Sequence, residues 1–349
     1  MNAINDFLYN VLVGINSVVG NYGVSIILFT LLIRMICLPF DYKSRKGMRK
    51  MSAIQPKMNE LQRKYGNDKQ KFQQKQAELM RKEGYNPLSG CLPLLLTWPI
   101  MIAMFSAMRV IANEQLAMQA FRYLAGEEQI VTAAERFLWV KNIWMTDSFF
   151  TPVVPTAQAL NQLTADVWQK AYNLLSEGQL QAIAQNIALV SENALDFGAS
   201  TYQASVQSII TALGNVPAYV DAVAAVPGWS GLNFFLFSIT LYKQYNGLLI
   251  LPVLAGVSQV LQYKFNPAMN ESQQPQTNAN GQANGMGNFM KYFFPILSVY
   301  FCLSSNAGFA LYWVTSTAVM WVQSIILTKV FEKQEAKKAE TVNVEGSVK

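Results

Sequence analysis

Residues 22–40 read YGVSIILFTLLIRMICLPF, a run that is apolar except at a few positions and carries Arg34 near one end. At ~1.5 Å per helical residue such a run is about long enough to cross the hydrocarbon core of a bilayer. A cation at that depth costs ~2.5–3.5 kcal/mol on insertion scales, so it is a functional-site hypothesis that needs a partner. None of the other apolar stretches contains an acid. Arg34 must therefore be solvated by water, by neutral polar side chains or by whatever the protein binds. Two readings follow. Arg34 lies six residues before Phe40, roughly 9 Å along a helix axis, so its side chain can snorkel toward the headgroups. Against that, Thr30 stands one turn earlier on the same face, and two stacked polar groups on an apolar helix suggest a wet cavity.

The chain has 349 residues, 52% of them hydrophobic, with long apolar runs separated by strongly charged ones. That pattern reads as a polytopic membrane protein. The net charge of +6 is uneven along the chain and does not point to nucleic acid. Histidine is absent, which removes the usual proton shuttle and the commonest metal ligand. Cys37, Cys91 and Cys302 are far apart in sequence and lie in or beside apolar segments, so neither a zinc spacing nor a disulfide framework exists. There is no phosphate loop, dinucleotide fingerprint or nucleophile elbow. No enzyme, cofactor or metal is expected.

Residues 1–20 lack Lys and Arg, unlike the start of a secretory signal. Ile4, Phe7, Leu8, Val11, Leu12, Ile15 and Val18 fall on one helical face, which predicts an amphipathic helix on the outer surface; a short first span is the weaker alternative. The first transmembrane helix is expected at 21–40. Residues 41–90 then hold thirteen basic against five acidic residues, so the positive-inside rule puts them in the cytoplasm and the N-terminus outside. Met48, Met51, Met58, Leu61 and Tyr65 mark one stripe and Phe72, Leu79 and Met80 another, joined by Gly66-Asn67 with Asp68 as N-cap. This predicts a basic two-helix hairpin over 41–86, interrupted near Pro56, or else a charged loop that only fixes topology.

The second transmembrane helix is expected at 91–111, with Pro93 and Pro99 in its inner half. From 113 to 229 the sign reverses, with four basic against ten acidic residues, and this loop is read as extracellular. Within it, about 152–227 is expected to be a helical insertion of some three helices. Residues 229–245 are expected along the outer surface. The third transmembrane helix follows at 246–263, a flexible cytoplasmic connector at 264–287, the fourth helix at 289–303, the fifth at 308–330 and a cytoplasmic tail at 331–349.

Several stretches resemble a known family. YKSRKGMRKMSAIQPKMNELQRKYGNDKQKFQQKQAELMRKEGYNPLSGCLPLLLTWPI is similar to the cytoplasmic hairpin and following span of the YidC family of membrane-protein insertases. NYGVSIILFTLLIRMICLPF resembles that family's first core span, including its Arg, and LPVLAGVSQVLQYK and NAGFALYW its third and fifth. The resemblance covers roughly 1–112, a short piece around 137–147, and 229–330. The resemblance is to a bacterial, Gram-positive-like member with an enlarged extracellular loop. Thr317 stands where many relatives have Asn. No lipoprotein-type cleavage site precedes Met1, so insertion without one, or a trimmed sequence, is expected.

The resemblance implies an all-α polytopic fold in which five transmembrane helices form a polar groove open to the cytoplasm, with a cytoplasmic hairpin and an extracellular helical insertion. By position, Arg34 is the groove cation, Thr30 its neighbour, and Tyr312 and Trp313 an aromatic wall. Gln259 and Gln262, at i and i+3, are polar lining or interhelical hydrogen-bonding groups. Arg45, Lys46, Arg49, Lys50, Lys57, Arg63 and Lys64 form a recruitment surface on the hairpin. The implied partners are nascent membrane proteins, the ribosome, the general secretion channel and the lipid bilayer, with no direct role for nucleic acid. The implied location is the bacterial cell membrane, with the N-terminus outside and the C-terminus cytoplasmic. The insertion at 152–227, lying between family-like pieces, is expected to be separable from basic activity. The rivals are a secondary transporter using Arg34 to clamp an anionic solute, disfavoured by the lack of an internal repeat, and a scaffold whose basic hairpin holds ribosomes or anionic lipid.

Overall fold

The computed structural model describes residues 3–66, 68–84, 88–234, 237–265 and 285–347. The turn at Asn67, the approach at 85–87 and nearly all of the 264–287 connector lie outside the described residues. Helix α1 spans Ala3–Val19 and α2 Tyr22–Tyr65. Gly20, at φ +71°, ends the first, and the Asn21 side chain caps the second by accepting from the Val24 N–H at 3.2 Å. The break expected near Pro56 is absent, and α2 runs through both Pro39 and Pro56 as one helix. Helix α3 is Lys69–Lys82, N-capped by Asp68, whose carboxylate accepts from the Lys71 N–H at 3.0 Å. Gly84, at φ +58°, closes it in the left-handed region.

Helix α4, Leu88–Leu124, continues well past the expected membrane exit. Five short helices follow instead of about three: α5 (Ala157–Asn161), α6 (Ala165–Tyr172), α7 (Glu177–Ala188), α8 (Tyr202–Gly214) and α9 (Pro217–Ala222). The chain restarts helices because Thr156 and Ser176 each cap the next one with a side-chain oxygen, and Pro217 opens α9 at its first turn. The stretch expected to run along the surface holds a short antiparallel pair, β1 (Leu232–Phe234) and β2 (Phe237–Ile239), with Leu232 opposite Ile239. The remaining helices are α10 (Ile250–Phe265), α11 (Gly285–Leu303) and α12 (Ala307–Ser347). Two segments are long and apolar enough to cross a membrane, Tyr22–Gly47 and Ala307–Lys337; Ile4–Val19, Ile250–Gln262 and Tyr292–Leu303 are shorter apolar helices.

The chain forms two compact units. The first comprises Met1–Phe29, Met101–Leu254 and Val299–Trp313. Its core is built on α4, where Met104, Met108, Ile111, Phe121 and Leu124 are all buried. Phe121 is ringed by Trp168, Tyr172 and Phe197, with ring centroids 5.4, 5.9 and 6.3 Å away. The insertion is thus packed on the end of α4, and Asn186 donates to the Leu124 carbonyl at 2.8 Å. Tyr219 stacks edge-on against Tyr123 and donates to the Pro155 carbonyl at 3.0 Å, and burial pushes its phenol up to about 12. Helix α1 is held by protein as well: Leu8 and Leu12 are buried, and Tyr9 donates to Glu114 at 2.7 Å, the carboxylate that also takes Lys170 at 2.5 Å.

A chain of buried polar groups ties this unit together. Gln119 donates to Glu135 at 2.7 Å, Asn142 to Gln119 at 3.0 Å, and Asn246 to the Asn142 carbonyl at 2.8 Å. Glu135 is paired with Arg122 at 3.2 Å. Asp147 accepts from the Leu248 and Leu251 N–H groups at 2.8 and 2.7 Å, so a residue from another segment caps the start of α10. Gly247 makes that approach possible, because a Cβ there would overlap the Asp147 carboxylate. Gly247→Ala is therefore expected to cost ~1–3 kcal/mol through overpacking and a displaced cap, read as a lowered midpoint of thermal unfolding in detergent.

The second unit comprises Thr30–Ile100, Ala255–Ser298 and Val314–Lys349. Here Ile54 and Met58 of α2 are buried against Leu79 and Met80 of α3, worth ~1.5–3 kcal/mol for each large side chain. Lys57 and Glu83 pair at 2.6 Å beside them.

Candidate functional site

Helical spacing on α2 brings Thr30 and Arg34 to one face, and both are buried, Arg34 at 8% exposure. The face opposite is α12, where Ser316, Thr317 and Ser324 are buried. Arg34 Nε donates to the Ser316 hydroxyl at 2.9 Å, and a terminal guanidinium nitrogen donates to the same oxygen. Gln323 donates to the Arg34 backbone carbonyl at 3.3 Å, while its own side-chain oxygen is buried with no hydrogen-bond partner. Among the described residues no carboxylate forms an ion pair with Arg34. A guanidinium has five N–H donors. One hydroxyl cannot neutralise such a group, so the site keeps a positive charge inside a candidate span.

The seam between α2 and α12 continues toward the charged ends of both helices. Arg45 donates to Ser324 at 2.6 Å and to the Met320 carbonyl at 3.5 Å. Arg49 lies over the Phe331 ring, 5.4 Å from its centroid, and pairs with Glu335 at 3.5 Å. Tyr42 stacks on Phe331 at 5.0 Å. The residues 34, 45 and 49 thus meet 316, 324 and 335 in order, which is the register of two parallel helices.

The other expected site residues fall as follows. Gln262 is buried and Gln259 half-buried on α10, and neither is hydrogen-bonded to Arg34. Tyr312 and Trp313 belong to the first unit, where Trp313 packs on Phe309 and Phe301 at 5.7 and 6.3 Å. Of the hairpin's basic residues, Arg45 and Arg49 turn into the seam and Lys57 into its ion pair. Lys46, Lys50, Arg63 and Lys64 are exposed. Ser316, Gln323 and Ser324 were missed by sequence reasoning, although their spacing on an apolar helix is the signal that would have found them. Among the described residues no cluster of His, Cys, Asp and Glu stands ready to hold a metal.

The family model described as 60Kd inner membrane protein matches residues 14–213 and 206–335, which includes both sides of the Arg34 seam. The chain belongs to the 60Kd inner membrane protein family. Similar relatives in this family are proteins named membrane protein insertase YidC. That of Fusobacterium nucleatum is 43% identical over 108 residues, 31% of this chain and 53% of the relative. That of Clostridium tetani is 35% identical over 150 residues, 42% of this chain and 60% of the relative. That of Anaeromyxobacter dehalogenans is 33% identical over 147 residues, 42% of this chain but 23% of the relative. The chain thus spans between about a quarter and three fifths of the length of these curated relatives. The Arg34 seam lies wholly within the stretch that the family model matches, with the Ser316 hydroxyl as the acceptor for the buried guanidinium.

Proposed function

We propose that this member of the 60Kd inner membrane protein family is a membrane-protein insertase and chaperone. The observation that carries this reading is the buried Arg34, held by Ser316 without a carboxylate. Five spans, with the N-terminus outside and the C-terminus in the cytoplasm of a bacterial cell, would form a hydrated groove around it. Such a groove shortens the apolar distance that a client's polar tail must cross and lowers its desolvation barrier. Arg34 attracts acidic residues of that tail, and burial of the client's apolar helix in lipid drives the step to completion. The scheme needs no nucleotide. Nascent membrane proteins are the clients, with the ribosome and the general secretion channel as partners on the cytoplasmic side. A transporter that clamps an anionic solute has no observation in its favour beyond the same cation.

The test is reconstitution. Purified protein in sealed vesicles, with no nucleotide present, is expected to insert a single-span client with an acidic outer tail, scored by protease protection; no insertion above protein-free vesicles would refute the proposal. Topology is checked independently. Cysteines placed at Lys75, on the basic hairpin, and at Gln185, on α7, are expected to react with a membrane-impermeant reagent from opposite sides.

A further inference from the structure

We propose that the tight turn Phe137–Val140, with the residues packed beside it, binds an anionic phospholipid headgroup at the membrane edge where α2 and α10 begin. The inference requires only that α2 crosses the membrane and does not depend on the insertase reading. The turn is pinned at both ends. Asn21, the cap of α2, donates to the Ala133 and Arg136 carbonyls at 3.3 and 2.9 Å, and the Phe137 ring fills the space where a Cβ on Gly23 would stand. On the other side Trp139 donates its indole N–H to Asp147 at 3.2 Å, the carboxylate that caps the first turn of α10. Phe137 and Val140 exchange both backbone hydrogen bonds, at 3.0 and 2.9 Å, leaving Leu138 and Trp139 as the tip. The tip therefore lies level with the first turns of the two helices.

Its chemistry suits a headgroup rather than water. Leu138 is 75% exposed and has φ +52°. A left-handed leucine costs ~1–2 kcal/mol, and Gly or Asn would make the same turn in water without that cost. An exposed, strained apolar tip gains where it enters the acyl boundary. Leu248 is exposed beside α10 in the same way. The charges agree. Of the four basic residues between 113 and 229, Arg122 and Lys170 are paired with Glu135 and Glu114, whereas exposed Arg136 and Lys141 have no ion pair among the described residues. Lys141 stands 4.4 Å from the centroid of the Tyr245 ring. Two unneutralised cations, an indole and a phenol around a leucine tip have the composition of the interfacial zone, where aromatic rings sit at headgroup level and basic side chains meet lipid phosphate.

The experiment uses the full chain in vesicles of phosphatidylcholine and phosphatidylglycerol, with one lipid or the other brominated on its acyl chains at equal mole fraction. The part of the tryptophan fluorescence lost in Trp139→Phe reports the tip. The brominated anionic lipid is expected to quench that part with a relative association about fivefold or more above phosphatidylcholine, and the Arg136→Gln/Lys141→Gln double variant is expected to bring the two lipids to parity. Leu138→Asp, which keeps the indole, is expected to weaken quenching by both. Parity in the unmodified protein overturns the headgroup assignment. Absence of quenching by either lipid, or an unchanged response in Leu138→Asp, places the tip in water and overturns the site altogether.

Discussion

Arg34→Ala is expected to reduce insertion of clients with acidic outer tails by tenfold or more while leaving neutral-tailed clients much less affected. In a wet groove with an effective dielectric near 20, a charge pair at contact is worth up to ~4 kcal/mol, and salt and water lower that figure. A surviving ~1.4 kcal/mol already amounts to about tenfold. Arg34→Lys is expected to keep much of the activity, because the charge remains and the hydroxyl of Ser316 accepts from an ammonium as well as from a guanidinium. Arg34→Glu should be worse than Ala through repulsion of the same tails. Initial insertion rates for a matched pair of clients, differing only in tail charge, decide the matter. Equal loss for both clients would mean that Arg34 maintains the hydration or the seam with α12, and the electrostatic account would have to be abandoned.

The second large effect is expected from the insertion. Its position between family-like pieces predicts that residues 152–227 can be removed with basic insertion intact, altering at most partner choice or stability, and the structure, which packs them on α4, points to a large loss of stability. Excision would bare Phe121 and Leu124, both fully buried, and would remove the partners Trp168, Tyr172 and Phe197. Trp168→Ala alone is expected to cost ~3–5 kcal/mol, as large aromatic truncations in cores do. The excised protein should lose a cooperative unfolding transition and become cleavable near the end of α4. Limited proteolysis beside a thermal melt reads both, and an excision variant that melts like the full chain would show that the packing is not needed.

Hydropathy and charge counts see where a segment belongs relative to a membrane, which is why Arg34, Thr30 and the long apolar runs were legible. They do not see burial within a polar segment. Glu135 and Asp147 count as two of the loop's solvent-facing acids, yet both are almost wholly enclosed, one paired with Arg122 and the other capping α10. The partners of Arg34 were hidden for a different reason. Serine barely alters the hydropathy of an apolar helix, and Ser316 is 282 positions from Arg34, so only a three-dimensional register joins them. The hairpin shows the opposite balance. Asp68 and Gly84 announce the ends of α3 through local backbone chemistry alone, which a single sequence carries in full.

The continuity of α2 has a mechanical side. From Thr30 to Tyr65 it lies in a single compact unit, so the arm face formed by Ile54 and Met58 and the buried guanidinium are mounted on one shaft. A helix advances about 100° per residue, and its hydrogen bonds resist twisting, so rolling the shaft at one end turns the other by nearly the same angle. Pro39, which lacks an N–H to donate, is the point where some of that rotation can be absorbed. The contacts of Arg45 and Arg49 with α12 then act as a brake on the roll. A load applied to the arm would be felt at Arg34 as a change of bearing, with torque as the signal passed along the helix.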